Sequence, residues 1–135
     1  MPPKIITGNS HTDDRGTLCF NNDFDASAIK RIYIIENNGD IIRAWQGHKI
    51  EQRWFSAIKG SFKIQLIKID HWDQPSKNLE KHTFTVNAEK LDVLHAPQGY
   101  VSWIQSLEEG SKLLVMAGHL LGEIQDEYRF DVEYF

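Results

Sequence analysis

Short runs in which apolar residues alternate with polar ones recur along most of this chain, at a spacing of roughly 8–12 residues. Residues 29–35 (IKRIYII) are β-branched and aromatic, and Asn37-Asn38-Gly39-Asp40 closes them with a turn. Residues 41–48 form a second extended run. Residues 52–58 and 61–69 read as a hairpin around Lys59-Gly60, with Phe62, Ile64 and Leu66 on one face. Further strands are expected at 83–86, 93–96, 100–107 and 112–117, and residues 71–81, with Pro75, form a polar loop. Only residues 87–91 and 121–126 have room for short helical turns. Eight or so short strands predict an all-β sandwich or barrel, and a double-sheet jelly roll manages its edges within this length.

Composition narrows the function classes. The 135 residues suit one domain, taken as 1–135, with no repeat or linker to divide it. Fifteen Lys plus Arg against nineteen Asp plus Glu leave no basic excess, which disfavours a nucleic-acid partner. One cysteine, Cys19, excludes an intrachain disulfide framework and any CxxC motif. No apolar run reaches the ~20 residues of a membrane helix, and the first residues lack a signal-peptide core, so no membrane partner and a cytoplasmic location are expected. Four tryptophans, Trp45, Trp54, Trp72 and Trp103, are many for a small core, and they suggest a groove or interface.

Two constellations carry the candidate chemistry. In Arg43-Ala44-Trp45-Gln46-Gly47-His48, followed by Lys49, Glu51, Gln52, Arg53 and Trp54, Gln46 and His48 share one strand face. Arg43 and Trp45 face the other way unless Gly47 or a bulge re-aims them. If the Gln46/His48 face points into a barrel, His48 is a titratable group suited to proton transfer near neutral pH. Arg43, Lys49 and Arg53 beside it suit a phosphate-bearing ligand. The second constellation, Pro97-Gln98-Gly99-Tyr100-Val101-Ser102-Trp103, is a tight turn entering a strand with Tyr100 and Ser102 on one face and Trp103 on the other.

Together the two segments resemble the paired motifs of the cupin superfamily. The four cupin metal positions fall on Gln46, His48, Gln52 and Ser102. Neutral amides and a hydroxyl are poor transition-metal ligands, so neither a metal nor another cofactor is expected. From His11 onward the chain resembles the metal-free, RmlC-like sugar-nucleotide cupins: dTDP-4-dehydrorhamnose 3,5-epimerases and, more closely, dTDP-4-keto-6-deoxyhexose 3,4-ketoisomerases. The matching residues are 11–18, 29–33, 43–52, 59–62, Asp70 with Pro75-Ser76, and 97–99.

The resemblance implies a cupin-type double-stranded β-helix and a reaction on a nucleotide-linked 4-keto-6-deoxy sugar. A base removes a proton next to the ketone, an acid returns it, cations hold the diphosphate and an aromatic platform holds the base. His48 and Tyr100 are the candidate catalytic residues. Tyr33, Arg43, Trp45, Gln46, Arg53, Trp54, Ser102 and Trp103 are the candidate substrate contacts, with Arg15, Arg31 and Lys63 as further cations. The chain departs from the pattern where Gln46 and Ser102 replace histidines, and where residues 112–121 lack the epimerase tyrosine. Two readings follow: an isomerase or epimerase using His48, or a domain that has lost catalysis and binds a sugar nucleotide, binds a sugar or serves as an assembly partner. The resemblance also implies a homodimer. The aromatic tail 126–135 is expected to dock, on its own barrel or on a partner.

Overall fold

In a computed structural model that describes residues 1–135, the chain is all-β, without a helix. Twelve strands run in order: β1 (Lys4–Ile6), β2 (Asn9–Asp13), β3 (Gly16–Phe20), β4 (Arg31–Ile35), β5 (Arg43–His48), β6 (Arg53–Lys59), β7 (Ser61–Lys68), β8 (His82–Asn87), β9 (Val93–Ala96), β10 (Tyr100–Ser106), β11 (Lys112–Ala117) and β12 (Tyr128–Arg129). One five-stranded sheet has the order β1-β9-β6-β11-β4, and a second has the order β12-β5-β10-β7-β8. All pairings are antiparallel. This is a jelly roll of the expected cupin type.

Period-two patterning decides what lies between the sheets. Phe62, Ile64 and Leu66 of β7 meet Phe55 and Ala57 of β6 and Leu113 and Val115 of β11 in the main core. The predicted 59–60 hairpin is corrected: β6 pairs with β11 and β9, whereas β7 pairs with β10 and β8. Gly60, at φ +67°, turns the chain from one sheet into the other, and a Cβ there would lie 2.0 Å from the Ser111 hydroxyl. A tight turn between alternating runs has the same sequence pattern whether the strands pair or cross between sheets.

Neither predicted helical turn forms. The Asn87 side chain accepts the Glu89 N–H, a local bond that competes with helix. At 121–126, Gly122 takes φ +80° and the chain runs as an irregular connection toward β12.

The C-terminal tail folds onto its own barrel. Trp45 and Phe130 exchange two backbone hydrogen bonds, N to O 3.0 and 2.9 Å. On the outer face of the second sheet, Trp45, Ile67, Ile69 and Val101 are covered by Phe130, Phe135 and Trp72. The hairpin β2–β3 is mostly exposed and pairs with no other strand.

Candidate active site

The two sheets diverge around a cavity of about 1000 Å³. Strand alternation and ladder register assemble its wall. Gln46 and His48 lie on the inner face of β5, opposite Ser102 and Tyr100 of β10 respectively. The ladder is irregular between Ser102 and Ile104, which places Arg43 opposite Ile104 and brings it to the cavity. Arg31 and Tyr33 of β4 and Arg53 of β6 form the facing wall, and residues 120–129 border the opening.

His48 is held in one protonation form. Its Nδ1 lies 3.0 Å from the Asp126 main-chain oxygen, which can only accept, so Nδ1 carries the hydrogen and Nε2 is the acceptor. Burial lowers the His48 pKa below its ordinary 6.5, and the Arg53 charge lowers it further, against opposing contributions from Asp126 and Glu51. The ring is therefore neutral at pH 7.

Opposite it runs a chain of polar groups. Arg53 is buried, donates from Nε to Glu51 at 2.8 Å, and donates from a terminal nitrogen to the Tyr33 hydroxyl. The other Glu51 oxygen is 3.4 Å from His119 Nδ1. Arg53 is thus committed to Glu51, and Arg129 to Glu127 at 2.9 Å. Arg31 and Arg43 have no acidic partner. Asn37 orients Arg43 by accepting from its Nε at 3.1 Å, while the Arg31 guanidinium lies 5.3 Å from the Tyr33 ring centre and its buried Nε has no partner. Two cations are therefore free for an anionic ligand.

Of the remaining polar groups on the wall, Gln46 and Ser102 are already engaged. Gln46 donates its amide to Glu127, and the Ser102 hydroxyl donates to the Gln46 carbonyl at 3.3 Å. Tyr100 sits across from His48 with its ring in the main core, and burial raises its pKa, with Glu80 adding to the effect. It is an O–H donor at neutral pH.

The expectations for Trp54 and Trp103 are corrected. Trp54 and Trp103 alternate away from Arg53 and Ser102 and leave the cavity. Trp54 stacks on His95 at 5.2 Å, and Trp103 lies under Lys63 at 5.6 Å, both outside the barrel. Trp45 is 2% exposed; its indole N–H donates to the Val132 carbonyl and its ring meets Phe135 edge-on. Trp54 and Trp103 thus offer no face to a ligand in the cavity, whereas Trp45 belongs to its lining with its ring packed toward the tail. Arg15 also stands apart, paired with Asp13 on the exposed hairpin. Glu51 and Asp126 were absent from the expected site, although Glu51 lies two residues from Arg53.

The metal-ligand geometry of the cupins does not fit here. Gln52 turns to His95, accepting from its Nε2 at 2.7 Å, and no three His, Cys, Asp or Glu side chains are arranged to hold a metal.

The fold is that of the RmlC-like cupins. The chain is similar to QdtA, a sugar 3,4-ketoisomerase from Thermoanaerobacterium thermosaccharolyticum in complex with TDP: 26% identity over 98% of this chain and 90% of that one, TM-score 0.71. A 3,4-ketoisomerase from Helicobacter canadensis matches at 23% identity, over 99% and 95% of the two chains, TM-score 0.73. A dTDP-4-dehydrorhamnose 3,5-epimerase from Sulfolobus tokodaii matches at 15%, over 100% and 80%, TM-score 0.78. No protein-family model and no curated protein matches the sequence. The overall fold is thus shared with these structures along nearly the whole chain.

Proposed function

We propose that the protein is a metal-free isomerase or epimerase of a nucleotide-linked 4-keto-6-deoxy sugar. The observation that carries this reading is His48, neutral and with Nε2 as its acceptor, on the wall of a cavity with two unpaired arginines. In the reaction, His48 Nε2 takes the hydrogen from a carbon next to the ketone. The C–H electron pair forms a double bond to the keto carbon and the carbonyl π pair moves onto its oxygen, giving an enolate, or an enediolate where the deprotonated carbon bears a hydroxyl. In an isomerisation the proton returns to the former ketone carbon, while the hydroxyl on the carbon that lost it gives its proton to the old keto oxygen and becomes the new ketone. In an epimerisation the proton returns to the opposite face of the carbon that lost it. Tyr100 and the Arg53-bound Tyr33 hydroxyl supply O–H groups for the oxygens, and Arg31 and Arg43 take the diphosphate. Neither Trp54 nor Trp103 reaches the cavity to stack on the nucleobase.

Incubation with dTDP-4-keto-6-deoxyglucose in deuterated water tests the reading. Deuterium at C3 or C5, abolished by His48→Gln, is the expected result. A second reading, a binding domain without turnover, is favoured by Gln46 and Ser102 standing where ionisable groups serve the chemistry. Micromolar dTDP-sugar binding by calorimetry with no deuterium uptake would establish that one instead.

We also propose a cytoplasmic homodimer. Its support is the outer side of β4, an edge strand whose Ile32 and Ile34 are 64% and 54% exposed, and the unsupported hairpin β2–β3. Light scattering should give twice the 15.6 kDa chain mass, and a monomer at micromolar concentration would overturn it.

A further inference from the structure

The imidazole on the cavity wall is held by a residue 78 positions away in the chain. Asp126, in the connection between β11 and β12, is 6% exposed and grips residues 48–51 in two ways. Its carboxylate accepts three backbone N–H groups, from Lys49 at 3.0 Å, Ile50 at 2.8 Å and Glu51 at 2.8 Å. Its main-chain oxygen accepts from His48 Nδ1. A buried carboxylate with three N–H donors is fully satisfied, and moving it would expose four polar groups to loss. Because both contacts come from one residue, the carboxylate clasp fixes where the carbonyl stands. The carbonyl in turn fixes which ring nitrogen is protonated.

We propose that Asp126 is a positioning residue that locks His48 in the Nδ1-protonated tautomer, leaving Nε2 as the proton acceptor. The inference rests on His48 being the base, but its structural half does not depend on any substrate. Without the clasp, the carbonyl leaves the ring and neutral His48 exchanges between its two N–H forms. The sequence separation explains why no local pattern announces the pair.

The test is ¹⁵N spectroscopy of histidine-labelled protein at neutral pH, on the wild type, Asp126→Ala and Asp126→Asn. His95 is the internal reference: its Nε2 faces the Gln52 amide oxygen, so it stays Nε2-protonated wherever the fold is intact. The wild type should show His48 as the Nδ1–H form. Both variants should show a mixture at His48 with His95 unchanged, and deuterium exchange into the sugar should slow about 10- to 100-fold, short of complete loss of the base. Asp126→Asn keeps one acceptor oxygen and serves if Asp126→Ala fails to fold. An Nε2-protonated His48 in the wild type, or an unchanged His48 in folded variants, would overturn the proposal. A wild type with the expected tautomer but no deuterium exchange overturns the isomerase reading alone.

Discussion

The Tyr33 hydroxyl accepts a hydrogen bond from Arg53, across the intervening strand β11. Both residues face inward because Tyr33 and Phe55 each pair with Val115, and Arg53 lies one inward position from Phe55. Arg53 is itself fixed by Glu51, so the phenol oxygen is held and its own hydrogen points to whatever fills the cavity.

That relationship makes Tyr33→Phe informative. The substitution removes one hydroxyl from a half-buried ring and leaves the Glu51–Arg53 pair in place. Deuterium exchange into the keto sugar should fall about 100-fold while dTDP affinity changes little. Equal losses in both would place Tyr33 in ground-state binding instead.

The unpaired arginines should separate from the proton-transfer groups in a binding experiment. Arg43→Ala or Arg31→Ala removes a charge-assisted contact to the diphosphate, and affinity for dTDP should drop about 10- to 100-fold by calorimetry. Arg129→Ala, whose guanidinium is already held by Glu127, should change it much less. Undiminished dTDP binding in the Arg31→Ala, Arg43→Ala double variant would remove these two from the anion site.

Stability should fall on mild acidification. Burial lowers the His48 pKa, with Arg53 adding to it; burial also lowers His95, with Lys4 adding to it. Both groups bind protons less readily in the folded state than in the unfolded one. Their full stability contribution is present above the unfolded value near 6.5 and is lost as pH drops toward the lowered folded values. Urea midpoints at pH 7.5 and 5.5 should differ in that sense, and His95→Gln should shrink the difference. A higher midpoint at pH 5.5 would contradict the assignment. Asp70, held to about 2 by the Ser76 hydroxyl and then the Ser76 N–H, acts in a separate window below its ordinary 3.8.

Gly47 should resist even the smallest side chain. A Cβ there would meet the Tyr100 carbonyl oxygen at 2.2 Å and the Val101 Cα at 2.6 Å, both backbone neighbours that cannot rotate aside. Gly47→Ala should cost about 1–3 kcal/mol in urea unfolding. It should also slow catalysis, because β5 carries Gln46 and His48 on either side of Gly47. A variant as stable as the wild type would mean that β5 and β10 separate easily.

The strands from 29 to 117 were legible in sequence because each carries its own alternation or apolar run, and β4 through β11 fall within two residues of the predicted bounds. β1, β2, β3 and β12 were not anticipated. β2 is polar and wholly exposed, β3 holds Leu18, Cys19 and Phe20 in a contiguous run without alternation, and β1 and β12 are three and two residues long, too short for a period to show. That Gln46 and His48 share a face was legible too, whereas the structure decided that this face is inward and that the irregular ladder brings Arg43 to the cavity wall.

The tryptophans show where reading by proximity fails. Neighbours in sequence point to opposite faces of a strand, so Trp54 and Trp103 sit beside cavity residues in the chain and away from the cavity in space.

By itself, then, the sequence determined an all-β chain, which residues share a face of β5 and of β10, and a resemblance to sugar-nucleotide cupins, since these follow from period-two patterning and local motifs. Only the tertiary structure decided that the tail covers its own barrel and that Arg53 is already neutralised by Glu51. It also decided that Asp126 reaches back to orient His48. Those outcomes depend on contacts between segments far apart in the chain, and alternation along a strand says nothing about which distant segment will close over it.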